Sequence, residues 1–185
     1  MQKMNKVLYL LLILTSLTSC INLDSKPICE TKPDNYNYGY KDRYGYIIYH
    51  NLEQAKVCSE NTGRPILLMF AGWRNVSDRH SIWGIFEDKN IKNIIEDNYL
   101  FTMLYVDDKT RLKSIDSTKM LYTGKIIETI GELNLNLQIN QFQVNAHPFY
   151  AIVDSKMNII VEPIGYVSIK NKNQFIDFLK KGINK

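Results

Sequence analysis

Pro65-Ile66-Leu67-Leu68-Met69-Phe70-Ala71 is an unbroken apolar run, set between Gly63-Arg64 and Gly72. A run this short, without polar alternation, reads as a strand covered on both faces, so the chain must supply layers above and below it. Just upstream, Asn51-Leu-Glu-Gln54 reads as a helix start, with Asn51 as cap and Gln54 at the capping-box position. That helix is expected to run to about Thr62 and stop at Gly63. Ahead of it, Tyr46-Ile-Ile-Tyr49 reads as a first strand. Downstream, a helix is predicted from Ser77 to about Phe86, a short one from Asn90 to Glu96, and a second buried strand over Tyr99–Val106. Residues 107–128 form a polar insertion without periodicity. Ile130, Leu133, Leu137 and Phe142 suit one face of a helix. Phe149–Asp154 and Ile159–Glu162 flank Ser155–Asn158 as a hairpin, and Phe175, Ile176, Leu179 and Ile183 mark a closing amphipathic helix. This order predicts an α/β fold: a central mixed sheet flanked by helices, ending in a hairpin and a helix.

The 185 residues are enough for one domain with some chain left over. Apolar residues at 45% and charged residues at 23% are ordinary globular values and exclude general disorder. A formal charge of +4, scattered along the chain, is too weak for a nucleic-acid footprint. Three cysteines are too few for a disulfide framework and lack the clustered spacing of a zinc site.

The N-terminus reads as an address. A basic stretch with Lys3 and Lys6 precedes the apolar Val7–Leu14 and the small-residue stretch Thr15–Ser19, the order of a secretory signal. The apolar stretch is far short of the roughly 20 residues a membrane span needs. Leu17-Thr18-Ser19-Cys20 resembles the bacterial lipobox, in which the cysteine is lipidated and becomes the mature N-terminus. The expectation is a signal peptide over 1–19, a lipid-anchored tether over 20–44 and a folded domain over 45–185. Several acyl chains anchor stably where one would not. The protein is then held on an envelope membrane; Ile21 carries no recognised inner-membrane retention signal, which points to the outer membrane facing the periplasm. The tether contains Pro27, Pro33 and Gly39, and it ends in a tyrosine-rich stretch, Tyr36, Tyr38, Tyr40 and Tyr44, continued by Tyr46 and Tyr49. Those tyrosines read either as a binding strand or as packing on the domain and the start of its first strand.

Gly63–Trp73 resembles the strand that leads into the active site of the thioredoxin-like superfamily. Within it, the chain is most similar to the C-terminal periplasmic domain of DsbD-type thiol:disulfide interchange proteins. Leu104-Tyr-Val-Asp-Asp-Lys109, Gln143-Val-Asn-Ala-His-Pro-Phe-Tyr150 and Gly165-Tyr166 extend the likeness, which covers roughly residues 46–184. The resemblance implies that Pro148 follows a cis peptide bond beside a groove where an extended peptide can pair.

The chemistry departs from that family. Its pattern is Trp-x-Cys-x-x-Cys at a helix start, where the helix N-terminus lowers the first thiol's pKa and the second thiol resolves the mixed disulfide. Here the stretch reads Trp73-Arg74-Asn75-Val76-Ser77-Asp78, so Asn75 and Asp78 stand where the sulfurs belong. Neither side chain can form a mixed disulfide. The strand position that often carries an acidic residue in related sequences is Met69, consistent with a buried carboxylate being costly once thiol chemistry is gone. Asn75 and Asp78 read either as a helix cap and a charge favourable at the helix's positive end, or as part of a polar cluster with His147. One imidazole and one carboxylate are too few for a metal site, and no cofactor is expected. His50 and His80 are assigned no role.

Cys29 and Cys58 remain. A bond between them would close a loop of about thirty residues and add on the order of 3 kcal/mol. Otherwise Cys58 is a buried apolar residue and Cys29 a free thiol. Two functions follow. In the first, a redox-inactive domain binds an envelope protein or extended peptide through a groove made by Trp73, His147, Pro148 and Phe149. In the second, an oxidoreductase shuttles a disulfide through Cys29 and Cys58. A third possibility is an architectural subunit in which the domain is a spacer.

Overall fold

Ile66–Ala71 forms β1, and all six of its residues are buried. The computed structural model describes residues 29, 45–74, 84–114, 119, 121 and 123–184. β1 is central because it has a partner on each edge. Leu100–Tyr105 (β2) pairs with it in parallel, from Ile66 against Leu100 to Ala71 against Tyr105. Phe149–Val153 (β3) pairs antiparallel on the other edge, from Ile66 against Val153 to Phe70 against Phe149. Ile159–Ile164 (β4) closes the sheet against β3, giving the order β2-β1-β3-β4. This is the mixed sheet that the sequence predicts.

The period-2 alternation of a strand splits these residues between two cores. Leu67, Met69 and Ala71 join Phe101, Met103, Tyr105, Tyr150 and Ile152 on one face of the sheet. There they meet helix Lys89–Asn98 (α2) through Ile91 and Ile95, and helix Lys172–Ile183 (α4) through Phe175, Phe178 and Leu179. Ile66, Leu68 and Phe70 join Leu100, Leu104, Phe149 and Ala151 on the other face. Helix Leu52–Thr62 (α1) and helix Ile130–Phe142 (α3) cover that side, through Ala55 and Cys58 and through Leu137 and Phe142.

Helix ends follow local chemistry. The Asn51 side chain accepts from the backbone N–H of Glu53 and Gln54 at α1, and Gly63 takes the left-handed conformation (φ 71°) that ends it. The expected capping box does not close: Gln54 Oε1 is buried without a hydrogen-bond partner. α2 begins at Lys89 rather than Asn90 because Asp88 caps it, and Lys172 at the start of α4 holds the same carboxylate at 2.7 Å. α3 has the full box, with Thr129 capping and the Glu132 side chain returning to the Thr129 N–H.

Three expectations are corrected. Tyr46–Tyr49 is not a strand. It makes one parallel bridge, Tyr49 against Thr102, because His50 and Asn51 turn away immediately to cap α1 and the edge of β2. The most buried residues of α3 are not its apolar stripe but Gly131, Asn134 and Gln138; of the stripe, Leu137 and Phe142 pack on the core and Leu133 is 39% exposed. Phe149 does not rim a groove: it is buried between Phe70 and Phe142 on the α1–α3 side. For the helix expected over 77–86, residues 84–86 are helical and 75–83 lie outside the described residues. Among the described residues no helix is long and apolar enough to cross a membrane.

Candidate functional site

Three segments reach the same end of the sheet. Trp73 follows the end of β1, and the pairing of Phe70 with Phe149 brings His147-Pro148 to that end. The pairing of Tyr150 with Ile164 brings Gly165-Tyr166 there as well. The His147–Pro148 peptide bond is cis, as the resemblance implies.

Asp107, just past β2, fixes the chain after β1. Its carboxylate accepts the Trp73 N–H at 2.7 Å and the Arg74 N–H at 2.9 Å, one on each oxygen. Hydrogen bonds to an ionised acceptor are the stronger kind, so the turn after β1 is tied firmly to β2. The half-buried Trp73 ring lies edge-on to Tyr105, centroids 5.5 Å apart, on the α2–α4 side.

α3 holds the other wall. Gln138 is fully buried, and its side-chain NH2 donates to the Ala146 carbonyl at 3.0 Å. Its Oε1 is therefore the acceptor facing His147 Nε2 at 2.8 Å, which assigns a ring proton to Nε2. One turn earlier, Asn134 donates to the Tyr105 carbonyl at 2.9 Å. Gln138 and Asn134 thus tie the loop before Pro148 and the end of β2 to a single helix. Pro148 is buried and His147 half-buried. Beyond them Tyr166 and Ile169 are 59% and 57% exposed, the most open large apolar side chains of the described residues.

Of the groove residues expected from sequence, then, Trp73, His147 and Pro148 reach this end and Phe149 turns into the core. Asn75, Asp78 and His80 lie outside the described residues, as does Cys20. Asp107 and Tyr166 stand inside stretches that carry the resemblance, with no local pattern that marks either for a role. Asn134 and Gln138 carry no distinguishing signal in the sequence, since their helix also holds Glu132, Asn136, Asn140 and Gln141. Among the described residues no three His, Cys, Asp or Glu side chains group closely enough to hold a metal ion.

Cys29 and Cys58 are paired on the opposite, α1–α3 face, with Cα atoms 5.4 Å apart and the sulfurs in close contact. Cys58 is fully buried. The Tyr49 hydroxyl donates to the Cys29 carbonyl at 2.6 Å, and burial raises the Tyr49 pKa, opposed by the nearby Arg64 charge. The pair packs under the sheet, away from the face that carries Trp73.

No family model matches the chain, and no curated protein does. Solved structures do. One described as DsbH oxidoreductase is 14% identical, with 69% of this chain and 80% of that one covered and a TM-score of 0.48. A thioredoxin from Thermus thermophilus is 13% identical over 72% and 84% of the two chains, TM-score 0.48. A disulphide isomerase from Xylella fastidiosa Temecula1 is 13% identical over 70% and 88%, TM-score 0.47.

Proposed function

We propose that this chain is a redox-inactive, lipid-anchored thioredoxin-like domain of the cell envelope that binds an extended segment of another envelope protein at the Trp73–His147–Tyr166 end. The carrying observation is the separation of sulfur from site. Asn75 and Asp78 occupy the positions where the resemblance places thiols, and the paired cysteines lie across the sheet with Cys58 fully buried. A thiol must be reachable as thiolate to attack a disulfide, and a buried apolar setting raises its pKa and denies access. What this end does offer is recognition: exposed Tyr166 and Ile169 and a half-buried Trp73, with a hydrogen-bonding His147 held by α3. Apolar and aromatic anchors beside backbone able to pair are what an extended peptide needs.

The test is photocrosslinking in intact cells from a photoreactive residue at position 166, with position 57 on α1 as control, since Val57 is also exposed. One defined envelope protein captured from position 166 and not from 57 is expected. No product, or the same products from both positions, would overturn the binding reading.

A further inference from the structure

Among the described residues, the chain ahead of α1 is fixed at two places, Cys29 and Tyr46–Tyr49, and both lie toward the end of the sheet opposite Trp73 and Tyr166. Tyr49 bridges Thr102 in parallel, so Tyr46 stands beside the start of β2. There its hydroxyl donates to the Phe86 carbonyl at 2.8 Å and its ring meets Phe101 edge-on. Cys29 is tied to the same end by three links. Its partner Cys58 lies one turn before Thr62, where α1 stops. Its carbonyl accepts from the Tyr49 hydroxyl, which feels the Arg64 charge. The Arg64 guanidinium donates to the carbonyls of Glu96 and Tyr99, just before β2 begins.

We infer that the Cys29–Cys58 bond shortens the tether to the membrane and turns the Trp73–Tyr166 end away from it, so that this end meets a partner segment held clear of the anchoring bilayer. The inference rests on the lipid-anchored binding function proposed above and adds to it where the partner stands. Cys20 and Cys29 are nine residues apart in sequence. A chain of that length reaches at most about 30 Å, and about 16 Å on average when flexible. Without the bond, Tyr46 is the first buried residue after Cys20, 26 residues on. The limits then rise to about 90 Å and about 28 Å.

The domain's own length decides what the short tether does. Lys156, in the turn before β4, and Tyr166, beyond its end, are exposed and ten residues apart along the strand direction, roughly 30 Å. A domain tied at the Lys156 end by a tether shorter than itself cannot invert without driving its other end into the bilayer. The tied end therefore stays down. A tether as long as the domain lifts that restriction, which makes the bond a device of presentation as well as of stability.

The experiment uses the full lipidated chain in vesicles of phosphatidylethanolamine and phosphatidylglycerol carrying acceptor-labelled headgroups, with a fluorescent amino acid at position 156 or 166. Energy transfer to the lipid is expected to be stronger from 156 than from 166. A flexible Gly/Ser insert of about ten residues after Asp24, between the anchor and Cys29, is expected to lower transfer from 156. The same insert after Asp34, inside the loop that the bond closes, is expected to leave it unchanged. Equal transfer from the two positions, or more from 166, would overturn the orientation. An equal loss with either insert would show that the bond does not set the tether's length. Vesicles that capture no protein would overturn the lipid anchor itself, and the inference with it.

Discussion

Cys29→Ser removes a link whose contribution can be worked from its position. The two cysteines are 29 residues apart in sequence. In the chain-entropy picture, closing a loop of that length in the unfolded state is worth about 3.5 kcal/mol to the folded one. Serine at position 29 is the clean perturbation, because Cys29 is only half-buried and its contact with Tyr49 runs through the backbone carbonyl. Serine at position 58 would add the cost of a hydroxyl at a fully buried site. The assay is urea unfolding of oxidised wild type, reduced wild type and Cys29→Ser, supported by thermal melts. Reduced wild type and the variant are expected to coincide, about 3.5 kcal/mol below the oxidised protein and on the order of 10 °C lower in midpoint. The urea slope is expected to rise when the link is lost, because the unfolded chain then exposes more surface. An oxidised protein indifferent to reductant would refute the staple, and so would a Cys29→Ser variant well below the reduced wild type.

Three further outcomes follow from the region around α3. Hydrogen bonding by Lys125 and by the backbone N–H groups of Glu128 and Thr129 pulls the Glu132 carboxyl down to about 2. A depressed native pKa gives stability that is complete above the ordinary glutamate range and drains away as pH falls toward 2. Glu132→Gln should therefore cost about 1 kcal/mol near neutrality, after allowing for solvent screening, with the difference from wild type shrinking in acid unfolding curves below about pH 4.5. Gly131→Ala should cost about 2–3 kcal/mol in urea unfolding, because its Cβ would lie 2.7 Å from the Asp108 carbonyl and 2.8 Å from that of Val106, and backbone cannot step aside like a flexible side chain. Gln138→Leu strands the Ala146 carbonyl and His147 Nε2 and should cost about 2 kcal/mol; unchanged stability would show that these bonds do not hold the loop.

Sequence revealed those parts of the fold in which one strong local signal acts alone. β1 and β2 were legible because unbroken apolar runs have no use except between two layers. The limits of α1 were legible because Asn51 and Gly63 each do something few residues can do there. The hairpin turn was legible as a polar break, and the reason it holds is that the Asp154 carboxylate accepts the N–H of Lys156 and Asn158. Reading failed where a tertiary bond outweighs the pattern. The stripe on α3 is genuine, but two amides buy a place in the core by pairing with the Tyr105 and Ala146 carbonyls, and that turns the helix. Tyr46–Tyr49 has strand composition, but its pairing ends at Tyr49 because His50 caps the next carbonyl. Phe149 follows Pro148 in sequence, but its register opposite Phe70 sends it into the core on the α1–α3 side.

At the candidate site, that Asn75 and Asp78 stand where the resemblance places thiols is read from the sequence alone. The clamp by Asp107 needed coordinates, because residues 34 apart in sequence carry no periodic signal of their contact.

Disulfide exchange is the most direct measurement on the separation of site and sulfur. Insulin reduction would be followed with the full chain, with Cys58→Ser, and with Asn75→Cys/Asp78→Cys as the variant that puts a thiol at each position where the resemblance places one. Wild type is predicted to be no faster than buffer and the double variant faster than either. Turnover by wild type that disappears in Cys58→Ser would contradict a domain that works by binding alone.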